Sequence, residues 1–198
     1  MTAPPLFRAA ITSSTFLPSQ YPFNDRIPEL IYSEVVAQAN CKSGKDCLDC
    51  LRSVDANTLQ AINKEISANG FFGTFVFVPV VDGDFIIESP TKLLKRHKIN
   101  SVLLSVTNSF EGASLVNQST ASTVDVSEYI SQLFPNIKAN AIKAAVALYA
   151  DLGTNIFQVN AIMGESIFIC PTQLLMKAVG KSAYKENLRY RPVYMGRT

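Results

Sequence analysis

Charge is scarce in this sequence and nearly cancels, with 18 basic against 16 acidic residues in 198 and a formal net charge of +2. A surface so balanced offers no electrostatic footprint for nucleic acid or an anionic membrane, and neither is expected as a partner. Long apolar runs are also missing, because the strongest stretches are broken by Asp82, Gly83 and Asp84 or by Asn108. None is expected to reach the roughly 20 residues of a transmembrane segment. The first residues, Met1-Thr-Ala-Pro-Pro-Leu-Phe-Arg8, lack the basic start, unbroken apolar run and small-residue cleavage site of a signal peptide. As written, the chain is not expected to be exported. Histidine is reduced to His97 in the basic run Leu93-Leu-Lys-Arg-His-Lys98, where a helix-end histidine acts as a surface residue or a cap.

What is present is core material. Hydrophobic residues make up 47% and charged residues 17%, the makeup of a packed domain, or part of one, rather than a disordered segment. Cys41, Cys47, Cys50 and Cys170 permit three complete pairings. The first three form a C-x5-C-x2-C cluster with no histidine nearby, and Cys47-Leu-Asp-Cys50 lies in a helix-like stretch. Neither a zinc site nor a thioredoxin-like redox pair is expected there, and no metal or other cofactor is implied. Asn117-Gln118-Ser119 is a glycosylation sequon, which agrees with an oxidising, secretory origin.

Along the chain, Phe7-Arg-Ala-Ala-Ile11 predicts a short central strand that ends in Thr/Ser and Pro18. Pro28 marks a helix start, with Ile31, Val35 and Ala39 at helical spacing up to Asn40. Asp55 is a candidate N-cap for a second helix, whose Leu59, Ile62 and Ile66 share a face before Asn69-Gly70. The β-branched and aromatic run from Phe71 to Ile87, turning at Asp82-Gly83, predicts two short extended segments. A short helix follows over Thr91 to Lys98, and then a compact strand over Ser101-Val-Leu-Leu-Ser-Val106. Later helices are marked by Val126, Ile130, Leu133 and Phe134 before Pro135, by Ile142, Val146 and Tyr149 before Gly153, and by Pro171 to Val179 before Gly180. Strands alternating with helices predict an α/β sheet, in which functional groups gather at the carboxyl ends of strands. Glu111 stands just past such an end. A carboxylate there can hold a histidine in its working tautomer, although a loop glutamate taken without its neighbours is more often simply solvated.

Three segments together, Leu6-Phe-Arg-Ala-Ala-Ile11, Pro79-Val-Val-Asp-Gly83 and Val106-Thr-Asn-Ser-Phe-Glu-Gly112, resemble the type B carboxylesterase/lipase family, most closely its fungal members, in order and in separation. The resemblance covers residues 6–185, while the tail 186–198 departs from the continuation it implies. It implies a partial α/β-hydrolase fold, the middle part of the sheet with flanking helices, making residues 1–198 a partial type B carboxylesterase domain. It also implies that Glu111 is the acid of a Ser/Glu/His triad and that the full-length parent is a secreted carboxylic ester hydrolase acting on ester or lipid substrates. Cys41 and Cys50-Leu-Arg52 are similar to the family's paired cysteines, which implies a Cys41–Cys50 disulfide with Cys47 and Cys170 left as thiols. A bridge over so short a loop stabilises by about 2–3 kcal/mol. Ser14 matches the family's serine that bonds the triad carboxylate, although Ser13 and Thr15 replace the flanking Gln and Gly.

The departures matter as much. The family's Gly-Glu-Ser-Ala-Gly nucleophile elbow belongs upstream of Leu6, and its histidine belongs well after Glu111. Gly164-Glu165-Ser166 lacks the second glycine of an elbow and follows the acid instead of preceding it. The chain is therefore expected to be a piece of an esterase without nucleophile or catalytic histidine, with a non-catalytic, esterase-like interaction module as the alternative.

Overall fold

The computed structural model describes residues 7–42, 44, 46–96 and 99–188. These form two compact units, one from the segment ending at Leu17 together with everything from Pro90 onward, the other from Pro18–Ser89. In the first unit, β1 (Ala9–Ser13), β2 (Val102–Asn108) and β3 (Ala183–Leu188) make a parallel sheet in the order β1-β2-β3. The chain thus has an α/β fold, as its alternating pattern predicts. β1 was expected to be central, but among the described residues it pairs on one side only, and β2 takes the central place. Apolarity marks a strand as buried without saying on which side its neighbours lie, and the connection from β1 to β2 passes through the whole second unit.

Alternation along β2 separates two faces. Leu103, Ser105 and Thr107 are almost fully buried, on a strand against which α8 (Cys170–Val179) packs. The Ser105 and Thr107 hydroxyls are matched across the sheet, Thr12 Oγ1 donating to Ser105 Oγ at 3.0 Å and Thr107 Oγ1 to Asn187 Oδ1 at 2.8 Å. On the other face, Ile11, Leu104 and Tyr184 lie in register as one exposed row, Ile11 77% exposed.

Parallel neighbours need crossover connections. α4 (Pro90–Arg96) precedes β2, and α5 (Val126–Leu133), α6 (Ala139–Tyr149), α7 (Asn155–Gly164) and α8 fill the crossover to β3. α5 starts where the Asp125 carboxylate accepts the Glu128 amide at 2.8 Å, and it buries Val126, Tyr129, Ile130 and Leu133 at helical spacing. α7 continues through a π-helical turn, Glu165–Ile169, into α8, which stops at Gly180 with φ 77. This corrects the expectation that nothing reaches membrane-spanning length. Counting the π turn and the 3-10 turn Gly180–Ser182 that follows α8, Asn155–Ser182 is a helical run of 28 residues, long and apolar enough to cross a membrane, but 44% of its most apolar stretch is buried inside the protein. Val159 and Met163 are wholly enclosed, so the run serves as a core helix.

In the second unit, α1 (Arg26–Gln38) ends with Asn40 in the left-handed region, φ 55. α2 (Cys47–Ser53) leads to α3 (Ala56–Ala68), which the Asp55 carboxylate caps through the Asn57 and Thr58 amides at 2.9 and 3.2 Å. The Cys41–Cys50 disulfide implied by the family resemblance forms, leaving Cys47 and Cys170 as thiols. The two strands expected within Phe71–Ile87 do not form: that region is turns and bends, with a single bridge between Pro22 and Val81. Strand propensity is realised only on a ladder, and here Asp82 diverts the backbone by accepting the Ile86 and Asp84 amides at 2.8 and 3.1 Å. Those amide bonds hold the Asp82 carboxyl below its ordinary value.

A bare apolar row on a parallel sheet recruits other surfaces. The chain handled alone is expected to self-associate at micromolar concentration, and Leu104→Lys to shift it toward monomer in sedimentation velocity. An unchanged sedimentation profile with an intact circular-dichroism spectrum would argue that the row is not the contact.

Candidate active-site acid

The carboxyl ends of β1 and β2 converge on one carboxylate. Beyond the last residue of β1, the Ser14 amide donates to the Val106 carbonyl at 2.8 Å, which extends the parallel ladder by one step. Ser14 adopts φ 49, a left-handed conformation that costs an L-residue roughly 1–2 kcal/mol. The turn carries its hydroxyl to Glu111, and Ser14 Oγ donates to Oε1 at 2.9 Å. The Asn108 amide, at the end of β2, donates to the same oxygen at 2.7 Å. Asn108 Nδ2 reaches Oε2 at 3.4 Å and Ser14 Oγ at 3.5 Å. Glu111 is only 8% exposed, so these neutral donors offset the desolvation of its carboxylate. Oε1 is saturated by two short bonds. Oε2 has one long contact.

The backbone around Glu111 is held by a glycine pair. A Cβ on Gly112 would overlap the Asn160 carbonyl and lie 2.6 Å from the Gly164 nitrogen, and one on Gly164 would lie 2.7 Å from the Gly112 nitrogen. The loop therefore lies directly on the end of α7. Gln118 Nε2 secures its far side, 2.9 Å from the Ala113 carbonyl and 3.0 Å from both the Val116 carbonyl and Asn160 Oδ1. Phe110 packs edge-on against Phe157 of α7.

Sequence reading brought Glu111 and Ser14 forward, and they are in direct contact. It missed Gly164 and Gln118. Gly164 stood only as the first residue of a false elbow and Gln118 only as the middle of a sequon, because the backbone approach and the clamp they provide leave no local signature. Ser166 lies within the π turn with its Oγ buried and unbonded. Asn117 is exposed, its Oδ1 accepting Ser119 Oγ at 2.7 Å. His97 lies outside the described residues. Among those described, no three His, Cys, Asp or Glu side chains converge as metal ligands.

A family model described as the carboxylesterase family matches residues 1–197. The chain belongs to the carboxylesterase family. It is 28% identical over 192 residues to Lipase 4 of Diutina rugosa, covering 87% of itself and 35% of that protein. It is 29% identical over 147 residues to the inactive carboxylesterase-like protein VdtD of Byssochlamys spectabilis, 69% of this chain and 25% of that one. Secreted lipase 1 of Botryotinia fuckeliana is 33% identical over 93 residues, 45% of this chain and 16% of that protein. The crystal structure of Aspergillus niger EstA superposes with a TM-score of 0.76 at 22% identity, covering 92% of this chain and 38% of that one. The sheet and its flanking helices are thus part of an α/β-hydrolase fold, and the chain spans about a third of the length of Lipase 4.

Closing the Gly112–Gly164 approach with a methyl group forces backbone apart at the loop that carries Glu111. Gly112→Ala and Gly164→Ala are each expected to destabilise by about 1–3 kcal/mol, read as a lowered unfolding midpoint. Wild-type midpoints for both would show that this approach does not hold the loop.

Proposed function

We propose that this chain carries the acid of a Ser/Glu/His triad for carboxylic ester hydrolysis, with Glu111 as that acid, and that the nucleophile and histidine come from parts of a longer carboxylesterase. The observation that carries this reading is the unequal bonding of the Glu111 carboxylate. Two short bonds anchor Oε1 to strand ends, while Oε2 keeps lone pairs for one more donor. An imidazole Nδ1–H is the donor that ester chemistry calls for. The carboxylate then fixes the tautomer and stabilises the imidazolium formed as the histidine takes the serine proton. Attack on the ester carbonyl gives an acyl-enzyme and releases the alcohol, and water activated by the same histidine releases the acid. Ser14 is a positioning residue that aims Glu111. Coverage of only 35% of Lipase 4 and 38% of EstA supports assigning the remaining groups to the rest of a parent protein. An ester or lipid substrate and an extracellular location follow the names of the related lipases, and the exposed Asn117 is then available for glycosylation.

A second reading, a non-catalytic module on the esterase scaffold, is favoured by the relative named inactive. Kinetics of the complete parent on short-chain aryl esters separate the two. Under the first reading, Glu111→Gln lowers kcat about 10⁴-fold, Ser14→Ala lowers it less, and residues 1–198 alone give no turnover. A well-folded parent without activity favours the module. Turnover by residues 1–198 that survives Glu111→Ala would overturn the catalytic assignment.

A further inference from the structure

Away from the acid loop, the second unit gathers three sulfur atoms around one short helix. Cys41, just beyond α1, is 8% exposed and bridged to Cys50 in the first turn of α2. Cys47, the first residue of α2, is a half-buried thiol, and ester hydrolysis makes no use of it. The Cys50 amide donates to the Asp46 carbonyl at 3.0 Å, so helical geometry already spans both cysteines. Positions three apart on a helix share a face with Cα atoms roughly 5 Å apart, inside the disulfide window of about 4.4–6.8 Å, and with Cβ atoms roughly 5–6 Å apart that must draw in to about 3.5–4.5 Å, so the first turn of α2 tightens as such a bond forms. The Tyr32 hydroxyl of α1 lies 2.8 Å from Cys47 Sγ, so this sulfur faces the helix whose end leads into Cys41. A free thiol and a disulfide sulfur therefore occupy one helical turn.

We propose that Cys47 is a thiol–disulfide exchange site. Its thiolate attacks Cys50 Sγ, the Cys41–Cys50 bond breaks as a Cys47–Cys50 bond forms, and Cys41 leaves as a thiolate that takes up the proton Cys47 released. One S–S bond replaces another, so the step consumes neither oxidant nor reductant. Attack falls on Cys50 because it shares the α2 face with Cys47, whereas Cys41 lies on a separate segment and is only 8% exposed. The exchange changes what is tied together. The first bridge links the end of α1 to α2 across a separation of 9 residues, while the second closes inside α2 and frees α1 from it.

Peptide mapping tests this directly, because trypsin places Cys41 on peptide 27–42 and both Cys47 and Cys50 on peptide 46–52. The full chain is held without oxidant at about pH 8.5, where thiolate is plentiful, then trapped with N-ethylmaleimide in mildly acidic denaturant, digested and mapped without reduction. Maleimide on Cys41 is expected to rise roughly ten-fold or more over the zero-time sample. An equal loss is expected at Cys47, with Cys170 labelling constant. In Cys47→Ser, the 27–42/46–52 cross-link should persist and Cys41 should stay unlabelled, with an unchanged circular-dichroism spectrum showing that the variant has folded. A wild-type map that never changes overturns the proposal. So does label appearing on Cys50, which would mean a Cys41–Cys47 bridge, and so does Cys41 labelling that persists in Cys47→Ser.

Discussion

The buried carboxylate of Glu111 sets the terms for the rest of the first unit. An anion removed from water costs several kcal/mol unless donors replace its hydration, and here they are neutral: the Ser14 hydroxyl and the Asn108 amide and side chain. Those donors sit at the ends of two different strands, so the carboxylate is satisfied only while β1 and β2 keep their register, Ser13 beside Val106. A slip of one residue would turn Ser14 away and leave Oε1 with the Asn108 amide alone. The left-handed turn at Ser14 is the strain accepted to hold that arrangement.

A second dependence runs from the loop into the helical layer. Gly112 and Gly164 let two backbones meet where no side chain would fit, so the position of Glu111 follows that of α7. The π turn after Gly164 changes the helical phase, so α7 can meet the acid loop while α8 lies on β2 with Thr172 and Ala178 buried. Tyr149 of α6 holds this turn by donating to Glu165 Oε2 at 2.6 Å, and burial together with that carboxylate keeps the phenol protonated above its ordinary range. Acid, glycine contact, π turn and tyrosine form one connected support, although only the first would touch a catalytic partner.

The sheet itself is organised around what it presents. Its buried face is closed by helices and matched hydroxyls, while the row Ile11, Leu104 and Tyr184 stays open to solvent. Parallel sheets are ordinarily covered on both faces. A portion of an α/β-hydrolase sheet with one apolar face bare and both edge strands, β1 and β3, open on one side among the described residues fits the proposal that this acid works with groups from a longer protein.

Local chemistry makes several features legible in the sequence. The Asp55 cap, the period of α5 and the Val102–Val106 strand rest on forces acting within a few residues, and so does the placement of Glu111 just past a strand. Family resemblance added the Cys41–Cys50 pair and the Ser14 partnership, for which spacing alone offered alternatives. Other features were decided only by the fold. Strand order put β2 rather than β1 in the centre, because the pattern of a strand does not name its neighbours. The apolar run 71–87 failed to become strands, because propensity without a ladder yields to the turn that Asp82 builds. Gly164 and Gln118 carried no signal, since their roles are a backbone approach and a clamp on segments distant in sequence. Ser14 and Glu111 themselves stand 97 positions apart. The sequence by itself determined which groups could bond a carboxylate, and the tertiary structure decided that they would, because only the register of two parallel strands brings such distant groups within 3 Å.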